Sequence, residues 1–252
     1  MAQGSSGNFF VCEAKPIAFR NLGKSLPNIP KKKSWEFTIR MADFAEFGYC
    51  PYRAWHLSRG TTPVVRPETA KAMEIGKTIH ENLDRGHAEK ISALRKATET
   101  DRLDKSRPLE FYRNLRVHLY RRPFLYLGKI DNVCRKTDGN FYIAEDKTTR
   151  QLPSSPWPDH LLQVYTYCAG MAGTHWRRYS AKYLCWRITY RDKITTEILG
   201  EFGGFYDTLS HDTLLTSLEN FETIYRGDDP GLEVNPNKCI ICRYGTSCPF
   251  RK

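Results

Sequence analysis

No stretch of this chain approaches the ~18 consecutive apolar residues that a membrane-crossing helix requires. Nor does its N-terminus carry the apolar core of a secretory signal, so a cytoplasmic or otherwise reducing setting with no membrane contact is expected. No internal repeat divides the sequence, and 252 residues suffice for one substantial core with a small appended module. Acidic residues are in short supply: 28 against 39 lysines and arginines, a formal charge of +11. Such a surplus favours a polyanionic partner, although charge alone is equally consistent with simple solubility.

Eight cysteines are present, but a disulfide framework is not expected in a reducing compartment. Their spacing is more informative. The tail "NKCIICRYGTSCPF" sets Cys239, Cys242 and Cys248 in a C-x2-C-x5-C pattern, three thiolates lacking the fourth ligand of a tetrahedral site. Cys50, in "FAEFGYCPYRAWHL", is the expected distant partner, and thiolate-only ligation suits either an iron–sulfur cluster or zinc. Cys12, Cys134, Cys168 and Cys185 lie in apolar or strand contexts and are read as buried small hydrophobes.

Along the chain, residues 1–34 read as a partly flexible N-terminal extension, 35–228 as the main domain and 229–252 as a cysteine segment closing on Cys50. Periodicity predicts an amphipathic helix from Ile39 to about Leu57, interrupted near Gly48 and Pro51, and a second from about Pro67 through Leu94. The second has Ala72, Ile75, Ile79 and Leu83 on one stripe. A charged helix is expected at 102–118. A hairpin then follows from "FLYLGKIDNVCRK" and "NFYIAEDKT" about "TDGN", since Asp-Gly between two β-rich runs signals a turn. A helix over "PDHLLQVYTYCAGMAG", two more strands and a helix across about 206–226 complete an α/β arrangement, a mixed sheet covered by helices on both faces.

The hairpin carries the candidate chemistry. Alternation along "YIAEDKT" puts Ile143, Glu145 and Lys147 on one face. A two-residue loop at Asp138-Gly139 would send Asp131 to the opposite face. A three-residue loop, 138–140, pairs Asp131 with Lys147 and Val133 with Glu145, gathering Asp131, Glu145 and Lys147 together. The three-residue loop or an equivalent bulge is the expectation. A carboxylate-held metal could then acidify a water while the lysine stabilises charge in the attack. Alone, an "ExK" triplet is more often an ordinary ion pair. His80 in "EIGKTIHENL", and Gln163 with Tyr167 at i and i+4, are its possible company.

Taken in order, "FGYCPYRAW", "GKTIH", "GKIDNV", "IAEDKTT", "QVYTY" and the C-x2-C-x5-C tail resemble RecB-like nucleases of the PD-(D/E)xK superfamily. More narrowly, the chain is similar to the CRISPR-associated RecB-like iron–sulfur nucleases, the fourth Cas protein family, over about residues 36–250. The resemblance implies a restriction-endonuclease-like core with an iron–sulfur-stapled C-terminal module. His80, Asp131 and Glu145 would hold Mn or Mg, and Lys147 would be the catalytic lysine. Gln163 and Tyr167 would lie near the DNA, while Cys50, Cys239, Cys242 and Cys248 would hold a four-iron, four-sulfur cluster.

The implied activity is metal-dependent hydrolysis of DNA, chiefly single-strand exonuclease with endonuclease action also open, in CRISPR adaptation or in repair and recombination. The implied partners are single-stranded or frayed DNA and either CRISPR integrase proteins or a helicase. Two other readings compete: a catalytically quiet DNA-end-binding partner of an integrase or helicase, and a zinc-stapled binding protein. The aromatics and arginine near Cys50 (Tyr49, Tyr52, Arg53, Trp55) could form a stacking platform for a single strand, with core packing favoured for Trp55.

Overall fold

The computed structural model describes residues 15–27, 35–64, 110–136, 138–179, 181–240, 242–244 and 248–251, with helical positions at intervals between Pro67 and Arg85. His80 and the stripe Ala72, Ile75, Ile79 and Leu83 lie outside the described residues, as do Cys12 and the 102–109 part of the expected charged helix.

The chain forms a mixed sheet flanked by helices. In order come α1 (Phe19–Ser25), β1 (Phe37–Arg40), α2 (Met41–Ala45), a 3-10 turn (Glu46–Gly48), α3 (Arg53–Ser58), β2 (Glu110–Arg121), β3 (Phe124–Arg135) and β4 (Phe141–Thr149). Then follow α4 (Pro158–His175), β5 (Leu184–Asp192), β6 (Ile198–Phe205), α5 (Thr208–Arg226) and α6 (Pro236–Ile240). No described helix is long and apolar enough to cross a membrane.

Two expectations are corrected. The segment "EFYRNLRVHLYR" is strand β2, not helix. Its arginines suggest a charged helix, but Leu115, Val117 and Leu119 recur every second residue, and Val117 and Leu119 are buried. The expected helix from Ile39 starts only at Met41, and its interruption near Gly48 and Pro51 is as expected. Ile39 pairs with Tyr126 in β1, and the chain then turns at Gly48 and Pro51 before α3. Further upstream, α1 buries Phe19 and Leu22 and packs on α4, so part of the N-terminal extension belongs to the core. A Cβ on Gly23 would fall 2.2 Å from Trp176 Cγ, which shows how tightly the two helices approach.

Strand β3 organises the sheet. Antiparallel β2 covers one of its edges from Phe124 to Arg135. The other edge is shared: parallel β1 takes Phe124–Leu127 and antiparallel β4 takes Asn132–Arg135. Residues 128–131 therefore sit at a fork where the sheet splits. Beyond Ala144, β4 leaves β3 and continues beside parallel β5, with Lys147 opposite Tyr190. Helix α4 makes the crossover between β4 and β5, starting with Pro158 in its first turn, where a missing N–H costs nothing.

The helices with described packing gather on one sheet face. Phe44 of α2 and Phe221 of α5 meet Tyr126 edge-on or tilted, and α4 spans β2 to β5. Tyr126 Oη donates to Glu222 Oε1 at 3.0 Å inside this layer. Asp207 caps α5 by accepting from the Ser210 N–H at 2.8 Å, and Gly227, at φ 112°, ends it. The other face shows polar side chains near the fork, including Asp146 with Arg191 Nε 2.7 Å away. Among the described residues, the expected helical cover is met on one face.

Candidate active site

The β3–β4 turn sets the geometry. Lys136 N–H donates to Asn140 O and Gly139 N–H to Lys136 O, leaving a three-residue loop, 137–139. Gly139 has φ 82°, the left-handed position that closes such a loop and that glycine adopts without a Cβ clash. Loop length agrees with expectation, but its position is one residue earlier. The register thus pairs Asn132 with Ala144 and Val133 with Ile143, not Val133 with Glu145. Extending that register sets Asp131 level with Glu145 instead of Lys147. The shift is an even number of residues, which preserves the expected parity, and the pairing itself ends at Asn132–Ala144, one residue short of Asp131 and Glu145.

Glu145 is buried, and it lies at the centre of a network reaching to α4. Lys147 Nζ donates to Glu145 Oε1 at 3.0 Å and to Gln163 Oε1 at 2.6 Å. Gln163 Nε2 donates to the same Glu145 oxygen at 2.9 Å and to Tyr167 Oη at 3.0 Å. Burial raises the Tyr167 hydroxyl pKa, and the carboxylates of Glu145 and Asp131 raise it further. Tyr167 thus lies within electrostatic reach of both acids. The structure brings Asp131, Glu145, Lys147, Gln163 and Tyr167 to one place beside the fork.

Glu145 Oε2, the second carboxylate oxygen, is buried and has no hydrogen-bond partner. An unpaired buried polar atom costs about 1–3 kcal/mol, more when charged, and is rare in native interiors. A hard cation held between Glu145 and Asp131 would satisfy it, which is the donor chemistry Mn or Mg takes. Among the described residues no set of three or more His, Cys, Asp or Glu side chains is grouped closely enough to hold a metal ion.

Gly128 opens the space beneath Tyr167. A Cβ there would stand 2.4 Å from Met41 Sδ and 3.1 Å from Tyr167 Cε1. Gly128→Val is therefore expected to destabilise the fold by about 1–3 kcal/mol through overpacking. It should also displace Tyr167 from Gln163. A urea midpoint unchanged from wild type would show that the site tolerates the added volume.

The four cysteines Cys50, Cys239, Cys242 and Cys248 line a single small cavity between the α2–α3 region and the C-terminal segment. Burial raises the Cys50 thiol, with added contributions from Cys242 and Cys248. Cys248 is likewise raised by burial, then by Cys242 and Cys239. None of the four is in a disulfide, and thiolates are the donor type of an iron–sulfur cluster, although no three of them stand close enough together to hold a metal ion. Cys168 and Cys185 are buried and Cys134 is half-buried, in keeping with small apolar fillers.

The platform residues divide. Tyr52 is buried, stacked on Phe250 at 3.8 Å, with its hydroxyl 2.5 Å from Asp229. Trp55 meets Phe250 edge-on beneath Arg59, so both serve packing. Tyr49 stays half-exposed with Arg53 and Lys238 over its ring. Sequence reasoning missed His160 and Tyr190, which adjoin Lys147. His160 lies one turn before Gln163, a signal present in "HLLQ", but Tyr190 is thirty residues away and only the sheet brings it there.

No family model matches the sequence, and no curated protein matches it. Among solved structures, the chain is similar to one described as "Crystal structure of SSO0001", at 14% identity and a TM-score of 0.47. That match covers 92% of this chain and 94% of the other.

Proposed function

We propose that the chain is a metal-dependent DNA nuclease with a PD-(D/E)xK core, and that Cys50, Cys239, Cys242 and Cys248 hold a four-iron, four-sulfur cluster. One observation carries the reading: the buried, unpartnered Glu145 Oε2 at the fork, beside Lys147 and, like Asp131, within electrostatic reach of Tyr167. Asp131 and Glu145 would hold Mn or Mg, which when bound acidifies a water and stabilises phosphate charge. His80 is the third ligand implied by the resemblance. Lys147, oriented by Gln163, places a positive charge where the attacked phosphate gathers negative charge. Tyr167 fixes the Gln163 amide so that its carbonyl faces the lysine. The net charge of +11 favours a polyanionic substrate. CRISPR adaptation or DNA repair, with an integrase or helicase as partner, is the setting proposed.

The test is digestion of end-labelled single- and double-stranded DNA with Mn or Mg by wild type and Asp131→Ala. Wild type should degrade DNA only with metal, and Asp131→Ala should lose that activity while still binding DNA. Equal cleavage by both proteins would place the activity elsewhere.

A further inference from the structure

His160 occupies the first turn of α4, one turn before Gln163 and on the same side of the helix. Its imidazole lies against Tyr190, the strand neighbour of Lys147 on β5. Tyr190 Oη accepts the Trp157 N–H at 3.2 Å and lies 2.9 Å from His160 Nδ1. In the tautomer whose Nδ1 accepts the hydroxyl proton, the ring proton is on Nε2. The nearest carboxylate oxygen, Asp159 Oδ2, is 3.8 Å from Nε2, too far for a hydrogen bond. In that tautomer His160 is a neutral donor beside the lysine. Burial, and then the charge of Lys147, push its pKa down to about 3, so it cannot shuttle protons near neutrality.

We propose that His160 is a substrate-binding residue whose Nε2–H holds a phosphate oxygen of the DNA strand next to the Lys147 ammonium. The proposal rests on the nuclease reading for its substrate. Its chemistry is that of a neutral donor paired with a fixed cation, which together suit one phosphate.

The test is binding of a fluorescein-labelled single-stranded oligodeoxynucleotide, followed by anisotropy with Ca in place of Mn or Mg. His160→Phe keeps the ring volume and loses the donor, while His160→Gln keeps a donor amide. His160→Phe is expected to bind about tenfold more weakly, because a hydrogen bond to a charged group is lost. His160→Gln should recover most of that. A single methylphosphonate is then moved along the strand. At one position it should cost His160→Phe markedly less than it costs wild type, the non-additivity of a shared contact, with the remaining loss in the variant coming from Lys147.

A scan equally costly in both proteins at every position would overturn the proposal. So would a cleavage defect of His160→Phe that is restored by raising Mn, which would make His160 a metal ligand. Absence of metal-dependent cleavage by wild type with the scan as expected would overturn the nuclease reading alone. Absence of DNA binding by wild type would overturn both.

Discussion

Replacing Lys147 by alanine is expected to slow metal-dependent cleavage of single-stranded DNA by about a hundredfold to ten-thousandfold, the span typical of losing a group that acts on the reacting centre. Lys147 is mostly buried and is fixed from two sides, by Glu145 Oε1 and Gln163 Oε1. It cannot be replaced by a neighbouring cation, because Arg191, also close to β4, is committed to Asp146. DNA binding should change far less, since the basic surplus is spread over the chain. Lys147→Arg is a stringent companion. The guanidinium keeps the charge, but its planar fork cannot reproduce an ammonium held between two oxygens. Single-turnover rates measured beside anisotropy separate the two effects. A variant that loses binding and rate in equal measure would make Lys147 a binding residue.

Replacing Cys50 by serine is the second large effect. Cys50 is the one cysteine of the cavity that comes from the N-terminal half, and it follows the turn that seats this region on α4. A Cβ on Gly48 would stand 2.6 Å from the Asp159 backbone nitrogen, so the Cys50 loop and the start of α4 are in direct contact. Anaerobically purified wild type should show the visible absorption of an iron–sulfur chromophore, and Cys50→Ser should lose it. Bound structural metal contributes many kcal/mol to folding. If about 4 kcal/mol is lost, the Tm should fall by roughly 8–16 °C for a chain of this length. Colourless wild type carrying one zinc per chain would replace the cluster with zinc while keeping the thiol ligands.

The β3–β4 hairpin was legible because a turn signal, Asp138-Gly139, lies between two runs with a period of two, and the requirement that three polar groups share a face limited the loop length. Its exact position was not legible. Loops starting at residue 137 or 138 preserve the same face, and nothing local chooses between them. Helix α4 was readable from "LLQVYTYCAGMAG", whose apolar residues are dense enough to be buried along both flanks. Strand β2 was misread because Arg113 and Arg116, following the charged residues of 101–107, resemble a charged helix face when period two is not tried. Strand β1 has only four residues and exists through its pairing with β3, more than eighty residues away. For the site, the "ExK" triplet and Gln163–Tyr167 were visible as patterns, whereas the orphaned oxygen and the His160–Tyr190 contact arise only from tertiary packing.

The contacts that close the cysteine cavity also determine when it can exist. Tyr52 meets Asp229, Lys238 donates to the Tyr49 carbonyl, and Arg243 pairs with Glu46, each across nearly the whole chain. During synthesis, α3 leaves the ribosome long before the segment that covers it. For that interval its aromatic face and Cys50 have no C-terminal partner, and a metal or cluster can be enclosed only after the last cysteine has emerged. A chain stopped before Cys239 would present the aromatic face of α3 uncovered to the cell's chaperones and proteases.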